Sequence, residues 1–142
     1  MVRPEAVARV LGGRRVIGRE VFTAADLDAA VSAGLKRQAL DQVVEFLAPE
    51  AERPKLRNRI VPRASYQRRA RLSPGYSAAT ERLARIAAFA RWVWEDDAKA
   101  RAFLRAPHPE LGGRAPLDAA MTELGARQVE EIIDRGLYGL PV

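Results

Sequence analysis

The chain contains no cysteine and a single histidine, His108. Without thiols there are no disulfides and no thiolate metal sites. His108 lies between Pro107 and Pro109, with no second ligand and no orienting carboxylate at a legible spacing. Neither a metal centre nor a histidine acid–base pair is expected from it. Aromatic residues make up 6% of the chain, β-branched residues are sparse, and much of the apolar content is alanine. That balance favours helices over sheet.

Other absences narrow the reading further. No apolar run reaches the roughly 18 residues that a spanning helix needs, so no membrane segment is expected. The first residues, MVRPEAVARVLGGRR, carry charge where a secretory signal needs an apolar centre. Together with the missing cysteines this leads to the expectation of a cytoplasmic protein. No phosphate-binding G-x-x-x-x-G-K-[ST] motif occurs. Gly12-Gly13-Arg14-Arg15 offers backbone N–H groups and guanidinium forks. No strand pattern precedes it, so it reads as a turn. No cofactor and no enzyme activity are expected.

What is present is a 142-residue chain, 48% hydrophobic and 30% charged, enough for one domain or two small lobes on a shared core. Pro4 to Leu11 reads as a short helix, and Gly12 to Phe22 as a loop or short extended piece. Thr23 opens a helix with Asp26 in capping-box register, and Gly34 ends it. Leu40, Val43, Val44 and Leu47 set one apolar face on a helix over 35–47, and Pro49 stops it. Two further helical pieces follow at 50–60 and 62–72, the second closed by Ser73-Pro74-Gly75. Ser77 begins the longest helix, with Leu83, Ile86, Ala87 and Ala90 along one stripe. After a recap at Asp96 or Asp97, a helix over 98–105 leads into a stiff turn. Pro116 then suits the first position of a helix striped by Leu117, Ala120, Met121 and Leu124. Gly125 reads as its break, and 126–135 as the last helix, with Val129, Ile132 and Ile133 on one face and Gly136 as its stop. The expected fold is all-α, in three segments: an N-terminal helical segment (1–34), a helix-turn-helix-like region with the long helix (35–95), and a small helical C-terminal domain (96–142).

Charge is unevenly placed. Between Arg53 and Arg71 stand eight basic residues and no acid; removing them from the net charge of +6 leaves −2. Such a cluster is the electrostatic footprint of a polyanion partner, or a solvated basic loop. Three helical pieces over 35–72 with short joins have the dimensions of a helix-turn-helix. In that reading Arg63, Ser65, Gln67 and Arg68 reach base edges or phosphates, while Arg57, Arg59, Arg69 and Arg71 hold backbone.

The end of the sequence is apolar where termini are usually polar: Leu137-Tyr138-Gly139-Leu140-Pro141-Val142. It either folds back on its own core or enters another protein as a proline-stiffened anchor.

The residues of this last stretch carry a resemblance. Phe103-Leu104 to Pro107, then Leu111-Gly112-Gly113-Arg114-Ala115-Pro116-Leu117-Asp118, then Gly125-Ala126 to Tyr138-Gly139, resemble the C-terminal toxin-binding domain of the Xre/MbcA/ParS family of bacterial antitoxins. Pro62 to Arg69 resembles, more loosely, the paired-arginine segment of the family's helix-turn-helix region. The resemblance implies a cognate RES-domain toxin that consumes NAD, capped by this chain, and an antitoxin that represses its own operon at operator DNA. Leu111, Gly112, Gly113 and Pro116 are then the structural turn. Arg114, Glu130, Leu137, Tyr138, Gly139, Leu140, Pro141 and Val142 are the toxin-facing set, with a carboxylate at Val142 or Glu130 pairing with arginines of the NAD site. Pairing of two copies through the long helix is expected because Trp92 and Trp94 fall on different faces. A transcription factor whose C-terminal lobe only dimerises is the alternative reading.

Overall fold

The computed structural model describes residues 2–137 and Gly139. Its fold is an all-α bundle, with ten α-helices and no strand among the described residues. In chain order they are α1 (Pro4–Val10), α2 (Gly13–Ile17), α3 (Ala24–Ala33), α4 (Arg37–Leu47), α5 (Arg53–Ile60), α6 (Arg63–Arg68), α7 (Pro74–Trp94), α8 (Asp97–Arg105), α9 (Pro116–Ala119) and α10 (Glu123–Leu137). Single 3₁₀ turns at Glu50–Glu52 and Pro109–Leu111 complete the order.

α7 is the spine. Its 21 residues include a run of alanines, Ala84, Ala87, Ala88 and Ala90, all buried, which lets neighbouring helices approach closely. α1, α3, α4, α5, α8 and α10 all pack against it. The striped faces read from sequence form the core: Leu40, Val43, Val44 and Leu47 of α4, Leu83 and Ile86 of α7, and Val129, Ile132 and Ile133 of α10 are all buried. Thr23 and Asp26 close the capping box at α3. The carboxyl of Asp26 is held below its ordinary range by the backbone N–H groups of Phe22 and Thr23 that it accepts from.

Several elements differ from the sequence reading. Gly13–Ile17, read as loop or extended chain, is a five-residue helix that buries Ile17 and ends at Gly18. Five residues are too few for an apolar period to show. The piece read as helical over 62–72 is helical only at α6. Arg69–Leu72 runs extended against Leu35–Arg37, joined by Leu72 N–H to Leu35 O (2.8 Å) and Arg37 N–H to Ala70 O (3.1 Å). Ser73-Pro74-Gly75 opens α7 instead of closing the piece before it: Ser73 Oγ accepts from Tyr76 N–H and Pro74 takes the first helical position.

Gly125 is likewise no break. It lies in the first turn of α10, where a Cβ would stand 1.8 Å from the Ala119 carbonyl oxygen. A glycine usually read as a helix breaker is here a close-approach residue. Leu124, assigned to an apolar stripe, is 73% exposed, because the stripe it completed belongs to a helix that ends at Ala119. α10 also continues past Gly136 to Leu137.

Candidate binding lobe and basic segment

The lobe begins where α7 ends. Glu95 adopts a left-handed backbone (φ 52°), and Asp96 recaps the chain by accepting from Lys99 N–H at 2.9 Å. Phe103 of α8 stacks on Trp94 with ring centroids 4.5 Å apart and meets His108 edge-on at 6.1 Å.

His108 organises the turn that follows. Its carbonyl accepts from Leu111 N–H (3.0 Å) and Gly113 N–H (3.1 Å), and its own N–H donates to Arg114 O (3.0 Å). Its Nδ1 accepts from Glu110 N–H at 3.2 Å. These bonds close the loop across its own base, and its Leu111 side chain is buried in the core. Gly112 and Gly113 supply the two left-handed residues (φ 68° and 81°) that the reversal requires. Pro116 then starts α9. The turn at Leu111, Gly112, Gly113 and Pro116 is therefore internally bonded. The histidine at its centre is a structural acceptor, a role that its place between two prolines does not announce.

Two arginines of α7, unremarked in the sequence, fix the rest of the lobe. Arg82 donates from Nε to Ala120 O (3.0 Å) and from Nη2 to Met121 O (2.7 Å). These carbonyls lie at the end of α9, where helical oxygens lack partners and a cation is favoured. Arg85 stands among three carboxylates: Glu81 at 3.2 Å, Glu123 at 3.7 Å and Glu130 at 3.2 Å. Glu81 is the most buried of the three, and burial pushes its carboxyl above the ordinary range. Arg85 opposes that shift, and Glu123 and Glu130 reinforce it. At the start of α10, Thr122 Oγ1 accepts from Gly125 N–H at 3.0 Å. Arg135 pairs with Glu110, tying α10 to the turn.

Of the toxin-facing set, Arg114 is exposed, with its Nε donating to Leu111 O (3.0 Å), and Leu137 and Gly139 are exposed. Glu130 is half-buried and held by Arg85. Tyr138, Leu140, Pro141 and Val142 lie outside the described residues.

The basic segment divides in two. Tyr66 is flanked by Arg37 and Arg57, whose guanidinium carbons lie 5.4 and 5.1 Å from its ring centre. Its hydroxyl donates to the Asp41 carboxylate (2.8 and 2.9 Å to the two oxygens), and burial, then that bond, raises its ionisation above the ordinary tyrosine range. Arg57 also contacts Asp41 at 3.3 Å, Arg59 pairs with Asp118 at 2.8 Å, and Arg71 donates to Gly34 O at 2.8 Å. Arg63, Gln67, Arg68 and Arg69 are exposed, Ser65 is partly so, and none of the three arginines enters an ion pair among the described residues. Three of the residues read as DNA-facing are thus engaged within the fold, and five remain on the surface around α6.

No curated protein matches the chain. A family does: residues 88–139 match the antitoxin Xre/MbcA/ParS C-terminal toxin-binding domain. The match begins in the last turns of α7 and takes in α8, the His108-centred turn, α9 and α10. The last turns of α7 and the lobe that follows are therefore similar, over Ala88 to Gly139, to the C-terminal toxin-binding domain of Xre/MbcA/ParS antitoxins.

Proposed function

We propose that this chain is the antitoxin of a toxin–antitoxin pair, acting by binding rather than by chemistry, in the cytoplasm. The observation that carries the reading is the toxin-binding domain at residues 88–139, built here as a braced unit. Its turn is bonded to itself through His108, its helices are pinned to the spine by Arg82 and Arg85, and its exposed groups lie on an ordered frame. A frame already ordered loses little entropy on docking.

The partner in this reading is a RES-domain toxin that consumes NAD, and inhibition is steric. Arg114, Leu137 and the segment from Tyr138 to Val142 occupy or cover the groove that NAD must enter. Glu130 is committed to Arg85, so the contact rests more on the tail and on Arg114 than on that carboxylate. The test is NAD consumption by the neighbouring gene product, alone and with this chain. Suppression by the intact chain and its loss on deleting residues 140–142 supports the tail as the plug. A neighbour that consumes no NAD overturns the RES assignment.

The same chain represses its own operon in this reading, through α4, α5 and α6. The surface arginines Arg63, Arg68 and Arg69 support it, being exposed and without ionic partners among the described residues. With about three phosphates contacted per protomer, the log–log salt slope for operator binding is about −2.7. A slope near zero removes DNA from the account.

A further inference from the structure

Near its C-terminal end, where Arg91 and Trp92 are exposed, α7 separates two grooves of opposite charge. On one side, against α1, Arg3, Arg9 and Arg91 surround an apolar floor that includes Val2, Ala6 and Trp92, in a groove of about 700 Å³. On the other side, against α10, Glu130, Glu131 and Asp134 outnumber Arg127 around Phe89, in a groove of about 370 Å³. Trp92 lines the first groove on the side nearer the second, 49% exposed, and stacks on Phe89 at 6.2 Å. An exposed tryptophan flanked by apolar floor and charged rims has the composition of an interface centre.

Part of the charge is already used. Arg91 pairs with Asp97, Glu130 with Arg85, and Arg127 approaches Glu123. Arg3 and Arg9 on one rim, and Glu131 and Asp134 on the other, enter no ion pair among the described residues. The surface therefore offers cations and anions on either side of one aromatic.

We propose that a second copy of this chain docks on this face, about a two-fold axis parallel to α7, with Trp92 against its partner's Trp92. The axis direction follows from the charges. Both grooves lie at the level of residues 88–92 of α7. If the two copies of α7 run parallel, the α1 rim of each copy lies over the α10 rim of the other, and arginines meet carboxylates twice. If they run antiparallel, arginines face arginines. A two-fold interface is self-complementary by construction, and a face carrying both signs about an apolar centre meets that condition. A partner of a single charge would satisfy only half of it. The inference deepens the homodimer expectation by assigning it a surface, and it does not depend on the identity of the toxin.

The test is the mass of the full chain in solution. Two variants carry the argument: Arg3→Glu with Arg9→Glu, and Glu131→Arg with Asp134→Arg. The wild type is expected to be a dimer by sedimentation equilibrium at low salt, and each variant alone should show dimer association at least tenfold weaker. Mixing the two variants should restore a one-to-one heterodimer by native mass spectrometry, because each supplies the charges that the other lacks. Circular dichroism of each variant controls for folding. A wild-type monomer overturns both the dimer and this face. Dimers that persist in both variants overturn this face alone, and so does a Trp92→Ala variant that keeps its mass but no longer holds the toxin. Neutralisation of the toxin by monomeric variants leaves the antitoxin reading standing.

Discussion

Arg59 of α5 and Asp118 of α9, 59 residues apart in sequence, meet at 2.8 Å and tie the basic segment to the C-terminal lobe. A second pair, Arg105 with Glu52 at 2.6 Å, crosses the same cleft, and Arg105 also donates to Leu47 O at 3.3 Å. The two ends of the Arg59–Asp118 pair are 43% and 46% exposed, so water screens it heavily. A double-mutant cycle of Arg59→Ala and Asp118→Ala should give a coupling below about 1 kcal/mol. The functional consequence is larger than the stability one. Arg59 cannot serve Asp118 and a phosphate at once, so Asp118→Asn should strengthen operator binding and steepen its salt slope by about 0.9 per protomer. An unchanged slope would place Arg59 away from the DNA.

The contact between Gly125 and Ala119 sets a second expectation. Alanine is favoured over glycine in a helix by about 1 kcal/mol. At this position a Cβ would meet backbone, the Ala119 carbonyl oxygen at 1.8 Å, and backbone cannot swing aside as a side chain can. Overpacking of this kind costs about 1–3 kcal/mol or more, so Gly125→Ala should lower the urea midpoint. It should also weaken the toxin contact by shifting α10 against α9. A variant as stable as the wild type would show that the two helices can separate without cost.

How far these features were readable follows from their range. The apolar faces of α4, α7 and α10 are periodic over several turns, and they appear in the sequence as they appear in the fold. The capping box at Thr23 and Asp26 spans four residues and was equally plain. Gly125 looks like a helix break in the sequence because its reason is not local: the carbonyl it accommodates belongs to Ala119, beyond a turn. α2 leaves no mark in the sequence because a five-residue helix has no period. The basic segment shows the same limit at the level of the site. Eight cations can be counted from the sequence, but nothing in it says that Arg57 is taken by Asp41 and Arg59 by Asp118. His108 and Arg82, which hold the lobe through backbone carbonyls and amides, leave no pattern at all, since those partners carry no residue identity.

Ser77 provides a third measurement. It is fully buried, and its Oγ accepts from Leu35 N–H at 2.8 Å and donates to Leu72 O at 3.4 Å. One hydroxyl thereby joins α7 to the paired segments before α4 and after α6. Ser77→Ala leaves a buried N–H without a partner, a loss of about 1–3 kcal/mol. Amide exchange at Leu35 should accelerate in the variant while exchange in α10 changes only with global stability. If Leu35 remains as protected as before, another acceptor has taken over and the serine is replaceable.

The last expectation concerns acid. Glu81 is held above the ordinary glutamate value of 4.5, first because burial disfavours its charge, with Arg85 pulling the other way and Glu123 and Glu130 adding to the rise. A carboxyl whose pKa is raised by folding binds its proton more tightly in the folded state than in the unfolded one. Its contribution to stability is therefore fully present below the unfolded pKa and is lost as pH rises through the folded value. At neutral pH the ionised Glu81 is a cost that the fold carries, and Arg85 offsets only part of it. Glu81→Gln removes the ionisation while keeping the shape. The variant should be more stable than the wild type at neutral pH, and the gap should narrow as pH falls towards 4. Paired urea titrations of wild type and variant across that range measure it. A gap that stays constant with pH, or a variant less stable at neutral pH, would mean that the ion pair with Arg85 outweighs the burial of the charge.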